Sequence, residues 1–331
     1  MADIKRIALL GQPNSGKSTV FNALTGAHQH VGNWPGKTVE KIEGEFTYNG
    51  KQYLLADLPG TYSLSANSDE EIITRDYIAS GGAELVCILA DSSQLERSLF
   101  MLADYAGINT PAMLVLTMTD IAKSQGKTVN TKKLSQKLGI PVVSLVAPDK
   151  KSYGEFFKTL ESAIKAPQRL NSDALEAMYG SGEQKKAYAE ALKLVPESGI
   201  DQYSAEWLAA KLLEGDTVVA HKVSVTSDKK AIKSFAEQNR DGSLYTSDCK
   251  FAWIENLLSD TVTKSKKGAG ILSKFDRAAI SKRWGKPIAI GIVLLGIVAS
   301  MVVAAPLMMV GSYIPGLLRP LIDKIGLLDL Y

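Results

Sequence analysis

Gly11-Gln12-Pro13-Asn14-Ser15-Gly16-Lys17-Ser18 has the spacing G-x-x-x-x-G-K-S of a phosphate-binding loop. Its flanks agree with that reading. Ile4 to Leu10 is a short, nearly unbroken apolar run suited to a buried strand, and Thr19 to Leu24 has helical spacing, so the loop lies between a strand and a helix. Glycine lets the backbone fold tightly enough for its N–H groups to face phosphate oxygens, and the start of the following helix adds positive potential. Lys17 is placed to neutralise the outer phosphates and the Ser18 hydroxyl to hold Mg²⁺. Gly11, Asn14, Ser15, Gly16, Lys17, Ser18 and Thr19 are the first candidate nucleotide contacts.

Outward from the loop, the helix ends near Gly26. Ala27 to Lys37, with His28, His30, Gly32, Trp34 and Gly36, has neither helical nor strand period and predicts a loop. Thr38 opens a strand that runs to Tyr48, Asn49-Gly50 supplies a tight hairpin turn, and Gln52 to Ala56 returns. That strand ends on Asp57-Leu58-Pro59-Gly60. An acidic residue there can hold Mg²⁺ through water, and the glycine after it can offer its N–H to a γ-phosphate. Ser68 with Glu71 predicts a capping box opening a helix to about Ala79. Leu85 to Ala90 and Ala112 to Leu116 are apolar runs of buried-strand type, and Leu95 to Tyr105 is a helix between them. The second run ends on Thr117-Met118-Thr119-Asp120. A helix over 131–138, a strand around Val142 to Ser144 and a helix from about Tyr153 to Lys165 follow. Strands alternating with helices predict an α/β domain with a mostly parallel sheet, covered on both faces, whose ligand-binding edge holds Gly11, Asp57 and Asp120.

The chain of 331 residues is 45% apolar and 22% charged with a net charge of +3, so bulk electrostatics points to no nucleic-acid partner. The positive charge is uneven. Lys264, Lys266, Lys267, Lys274, Arg277, Lys282, Arg283 and Lys286 gather just before a long apolar run, as in a juxtamembrane segment on the cytoplasmic side, in reach of membrane lipid. Cys87 and Cys249 lie far apart and suggest neither a disulfide framework nor a metal cluster, which fits a reducing compartment. The N-terminus lacks the apolar core of a secretory signal, so the first domain is expected in the cytosol.

From Leu170 to about Thr263 the spacing is helical with no strand-like alternation, and this stretch holds no catalytic constellation. Pro287 to Leu318 contains no charged residue and is longer than the roughly 20 residues a bilayer requires. Pro306 and Pro315 are expected to kink or end that helix, with Arg319, Asp323, Lys324 and Asp329 marking a return to polar surroundings. The expected organisation is residues 1–166, 167–275 and 276–331.

The phosphate loop, Thr38, Asp57-x-x-Gly60 and x-Met118-x-Asp120 together resemble the Ras-like P-loop GTPases, in which the last motif reads guanine. Val31-Gly-Asn-Trp-Pro-Gly-Lys-Thr-Val-Glu40 and Asp57-Leu-Pro-Gly-Thr-Tyr-Ser63 are more specific and resemble the bacterial ferrous iron transport protein B (FeoB) family. The resemblance covers a G domain, a helical domain and the approach to a membrane helix at Asp276-Arg277 and Trp284-Gly285-Lys286-Pro287. It implies GTP and GDP as ligands, with Mg²⁺ held by Ser18, Thr38 and Asp57, and Thr38 and Gly60 at the γ-phosphate. Asp120 would accept from the guanine N1 and 2-amino groups, with Thr117, Met118, Val146 and Ala147 around the base. Two letters depart from the family pattern: Thr117 stands where an Asn is usual, and Val146 where a Ser is usual.

Thr61 follows Gly60 where Ras-type enzymes place a water-orienting glutamine. The resemblance implies that K⁺ substitutes, bound by Asn14 with carbonyls near Gly32 and Trp34, which makes Asn14, Lys17, Thr38 and Gly60 the candidate catalytic set. Read alone, Asn14 is also a loop residue bonding its own backbone, Trp34 a hydrophobic anchor, and His28 and His30 solvated loop residues. The resemblance further implies a permease portion as partner, a bacterial inner-membrane location, and small accessory iron-transport proteins or a second copy as further partners. The helical domain would link the G domain to the membrane and modulate nucleotide release. Two other functions compete: a GTP-dependent switch that scarcely hydrolyses, and an ATPase or nucleotide kinase, which Asp120 disfavours. With no carboxylate, Cys or His between Pro287 and Leu318, Fe²⁺ passage is not expected of this chain alone.

Overall fold

Ile7 to Leu10 are almost wholly shielded from solvent, because strand β1 (Lys5–Gly11) sits near the middle of the sheet with parallel neighbours on both sides. In this computed structural model residues 4–26, 29–65, 67–265, 278–279, 281 and 283–325 are described. His28, Lys266, Lys267, Lys274, Asp276, Arg277, Lys282 and Asp329, named above, lie outside them. The chain divides into two units, residues 1–269 and 270–331.

In this sheet the other strands are β2 (Gln29–Asn33), β3 (Glu40–Tyr48), β4 (Lys51–Asp57), β5 (Leu85–Asp91), β6 (Ala112–Thr117) and β8 (Val142–Ser144), in the order β2-β3-β4-β1-β5-β6-β8. The β2–β3 and β3–β4 pairs are antiparallel, and the other pairs of this sheet are parallel. The β3–β4 turn uses Asn49 and Gly50, both with positive φ, as a tight hairpin demands. One face of the sheet packs on α1 (Lys17–Thr25) and α6 (Tyr153–Lys165) through Val20, Phe21, Phe156 and Leu160. The opposite face carries α2 (Asp69–Ala79), α3 (Leu95–Tyr105) and α5 (Thr131–Leu138). Ser68 caps α2, accepting from the Glu71 N–H, while the Glu71 carboxylate reaches past it to Ser63 and the Asn67 N–H.

The core on that second face is continuous with the helices α7 (Asp173–Ser181), α8 (Lys185–Leu194), α9 (Ala205–Leu213), α10 (Thr217–Val223), α11 (Lys229–Gln238) and α12 (Gly242–Leu258). Leu99 and Leu102 join Trp207, Leu208 and Ile254 in one cluster. Full burial of a Leu or Ile side chain contributes about 1.5–3 kcal/mol, so this seam holds the two halves together. It also buries charge. Asp104 accepts from Lys250 at 2.6 Å and Lys211 at 3.0 Å, both lysines reach Glu214, and Arg75 bonds Asp216 at 2.6 Å. Every one of these side chains is at most 9% exposed.

Three expectations are corrected. The stretch Ala27 to Lys37 is not all loop: Gln29–Asn33 is the edge strand β2, paired Gln29↔Gly44 to Asn33↔Glu40. All five residues are exposed, so backbone pairing alone makes the strand and no alternation of polarity records it. The helical stretch does contain a strand, β9 (Val262–Lys264), antiparallel to β7 (Lys127–Val129), and three residues are too few for a period. In the second unit, helix α13 (Gly285–Ile325) runs unbroken through Pro306 and Pro315. A proline removes one N–H from the ladder and presses on the carbonyl a turn earlier, which neighbouring turns can absorb in a long apolar helix. Within it Gly285–Pro306 has mean hydropathy 2.8 and none of it is buried. At 1.5 Å per residue its 41 residues extend about 60 Å.

Candidate functional site

At the end of β1 any residue larger than glycine would strike its own loop: a Cβ on Gly11 would stand 2.7 Å from Ser15 Oγ and 3.2 Å from Leu89 Cβ. Beyond it Asn14 and Gly16 both take positive φ, 65° and 85°, which curls the chain so that the Ser15 N–H meets the Gln12 carbonyl at 3.1 Å. Asn tolerates that region better than most residues, and Gly adopts it at no steric cost. Helix α1 starts at Lys17 with Gly16 as its cap, so no side chain takes up the first-turn N–H groups. Those donors and the helix dipole face Ser15 to Thr19, the geometry that binds anions.

Three of the predicted residues converge here from other strands. Lys17 Nζ donates to Asp57 Oδ1 from the end of β4, so the carboxylate faces the phosphate loop. Burial pushes the Asp57 carboxyl up, and the Lys17 charge and hydrogen bond only partly pull it back. Gly60 comes next to the loop, since a Cβ there would lie 3.5 Å from Pro13. Thr117, fully buried at the end of β6, donates its hydroxyl to the Ser15 carbonyl at 2.7 Å. Its side chain is turned to the loop backbone. Ser18 is exposed at the start of α1, and the hard oxygens of Ser18 and Asp57 are the donor chemistry that Mg²⁺ takes.

Thr61 turns inward, 3% exposed, with its hydroxyl 4.0 Å from Met101 Sδ, and does not take the place of an orienting glutamine. Trp34 is buried edge-on against Tyr77 with the Lys41 ammonium 5.3 Å over its ring, a hydrophobic anchor for the segment between β2 and β3. Its backbone N–H donates to the Val39 carbonyl and its carbonyl accepts from the Lys37 N–H. Thr38 is exposed in this turn, and Lys37 pairs with Asp69 of α2 at 2.6 Å. Gly32 lies in β2 opposite Lys41, with open space where a side chain would be. The described His30 is exposed on the same strand.

The remaining residues gather at the ends of β6 and β8. Met118, with φ of 52°, starts the short helix α4 (Thr119–Ser124), and Asp120 is exposed in its first turn. The loop after β8 is anchored beside it by Leu145 N–H to the Leu116 carbonyl, and closed by Val146 N–H to Ser152 Oγ and Tyr153 hydroxyl to the Ala147 carbonyl. The structure therefore joins Gly11, Ser15, Lys17, Asp57, Gly60 and Thr117 directly, sets Asp120, Val146 and Ala147 at one end, and leaves Thr38 on a separate exposed turn. Sequence reasoning passed over Gln12, Tyr62 and Arg97, which line a cavity of about 100 Å³ beside Asn14. Gln12 stands at a variable position of the motif, and Arg97 is a charged residue on the exposed side of a mostly buried helix, which carries no local signal.

Residues 5–160 match the family model described as ferrous iron transport protein B, and residues 182–263 match that of the FeoB cytosolic helical domain. The chain belongs to the ferrous iron transport protein B family. It is 33% identical over 331 residues to the Fe(2+) transporter FeoB of Salmonella typhi, covering 96% of this chain and 40% of that protein. To the Shigella flexneri FeoB it is 34% identical over 292 residues, covering 85% and 36%. The chain thus spans well under half the length of these FeoB relatives. Among solved structures, the cytosolic domain of the T. maritima FeoB iron transporter in a GDP form superimposes with TM-score 0.67 at 30% identity, over 80% of this chain and all of that one. Its GMPPNP form gives 0.67 at 31% identity, and the L. pneumophila FeoB cytosolic domain 0.67 at 28%. The FeoB G-domain architecture, with its mostly parallel sheet and following helical part, is therefore that of this chain.

Proposed function

We propose that this chain binds and hydrolyses GTP as the cytoplasmic regulatory module of a ferrous iron transporter in the bacterial inner membrane. The observation that carries the reading is the convergence of Lys17, Asp57 and Gly60 on one loop with Asp120 at the neighbouring strand end. Lys17 and the α1 N-terminus hold the phosphates, the Gly60 N–H meets the γ-phosphate, and the Asp120 carboxylate accepts from guanine N1–H. Ser18, Asp57 and Thr38 would hold Mg²⁺, which would supply neutralisation of phosphate charge. Thr38, on its exposed turn, is the member of that set that lies apart from the phosphate loop.

Because Thr61 points into the core, Asn14 with the carbonyls of Gly32 and Trp34 would hold K⁺, which would supply the stabilising charge at the phosphates. The lysines and arginines that precede α13 in the sequence assign its N-terminal side to the cytoplasm, and Gly285–Pro306 enters the bilayer. The permease portion, to which this module couples, provides the path for Fe²⁺. Nucleotide binding by calorimetry tests the reading: GTP and GDP bind and ATP does not, and Asp120→Asn shifts preference to xanthine nucleotides, since an amide donates where the carboxylate only accepts. Equal affinity for ATP and GTP would overturn it.

A further inference from the structure

Thr61 and Tyr62, which follow Gly60 in the segment after β4, are held by α3. Thr61 packs on Met101. Tyr62 turns outward, 49% exposed, and the Arg97 guanidinium lies 5.1 Å over its ring. Arg97 also reaches the phosphate loop, because its backbone carbonyl accepts from Gln12 Nε2 at 2.9 Å, and Gln12 is only 7% exposed. The base of α3 is itself fixed. Asp91 bonds the Ser93 N–H and hydroxyl at 2.8 and 2.7 Å, and the Asp91 N–H donates to Ser98 Oγ. Arg97 thus joins a rigid platform to both walls of the cavity in which Asn14 lies.

We infer that Arg97 is a positioning residue for GTP hydrolysis, which through the Tyr62 ring holds the Gly60 N–H at the γ-phosphate side of the loop. The inference rests on the proposed GTPase reading. Its backbone contact survives substitution of the side chain, so the side chain acts on the segment after β4 and leaves the phosphate loop in place. The pair is solvent-exposed, and a cation–π contact of that kind is worth roughly a two- to fivefold change in an equilibrium.

The full chain in detergent carrying Arg97→Ala, Arg97→Lys, Tyr62→Ala or both alanines decides it. Arg97→Ala is expected to lower kcat roughly two- to fivefold with KM for GTP unchanged, Arg97→Lys to restore most of the loss, and the double variant to be no slower than Tyr62→Ala alone. Circular dichroism melts establish that each variant is folded. The affinity for GDP with aluminium fluoride, a mimic of the transferring phosphoryl group, taken as a ratio to that for GMPPNP gives a readout free of turnover, and Arg97→Ala should lower it by the same factor. Wild-type turnover from Arg97→Ala with an unchanged ratio, a loss confined to KM, or additive losses in the double variant would overturn the inference. A wild-type chain that binds GMPPNP but does not hydrolyse GTP would overturn the GTPase reading instead, and the affinity ratio would still judge Arg97.

Discussion

The Thr117 hydroxyl donates to the Ser15 carbonyl at 2.7 Å, tying the end of β6 to the middle of the phosphate loop, with the Ala90 carbonyl 3.3 Å away. A departure from the usual Asn therefore keeps a structural tie between the base-reading and phosphate-binding segments. Thr117→Val retains the shape and removes the bond, worth about 0.5–1.5 kcal/mol net. GDP affinity measured by calorimetry should fall roughly two- to tenfold. Unchanged affinity would show that the tie is idle.

Asp104 holds the seam between the two halves of the first unit. Asp104→Ala leaves Lys211 and Lys250 buried with Glu214 as their shared carboxylate, and breaking a buried pair in this way costs about 3–5 kcal/mol. Removing the exposed Lys5–Glu84 pair should cost under about 1 kcal/mol. Urea denaturation of the two variants measures the contrast, and equal losses would contradict it.

The same cluster sets the acid response. Burial pushes the Asp104 and Glu214 carboxyls up, but the charges of Lys211 and Lys250 outweigh it and hold both below the usual range. Acids lowered in the folded state contribute stability that is complete above their unfolded values, about 3.9 and 4.3, and is lost as pH falls toward the folded ones. Stability should therefore decline below about pH 4 more steeply in wild type than in Asp104→Asn. Parallel pH profiles of the denaturation midpoint would refute this.

Strands β7 and β9 bring the segment after α4 against the segment leading to the second unit, with Thr128 opposite Thr263. Thr128→Cys with Thr263→Cys should oxidise to an intramolecular disulfide. Thr128→Cys with Val262→Cys should not, because adjacent side chains on a strand point to opposite faces. Cys87 and Cys249 are buried, and burial pushes the Cys87 thiol up to about 12, so neither competes. Mass spectrometry with and without reductant reads the result, and reversed yields would disprove the register.

What the sequence revealed follows how each element is stabilised. Buried strands such as Leu85–Asp91 and the helix Leu95–Tyr105 stand on apolar pattern, which is local and legible. The edge strand Gln29–Asn33 and the three-residue β9 stand on backbone pairing with distant partners, which leaves no local mark. Within the site, the phosphate loop and Asp57 were visible because their chemistry fixes both residue type and spacing. The inward turn of Thr117 and the Arg97–Tyr62 contact depend on tertiary placement. Lys211 carried an overlooked signal: it lies four residues after buried Trp207, on the packed side of α9, where a lysine needs a buried partner.

Phosphate release from GTP, measured for wild type and Asn14→Ala in K⁺, in Na⁺ and with neither, tests the central claim most directly. Wild type should hydrolyse GTP and do so fastest in K⁺. Asn14→Ala should bind GDP nearly as tightly and lose the response to K⁺, an electrostatic contribution of about a few kcal/mol. Equal wild-type rates under all three conditions, or an undiminished K⁺ response in Asn14→Ala, would contradict the account.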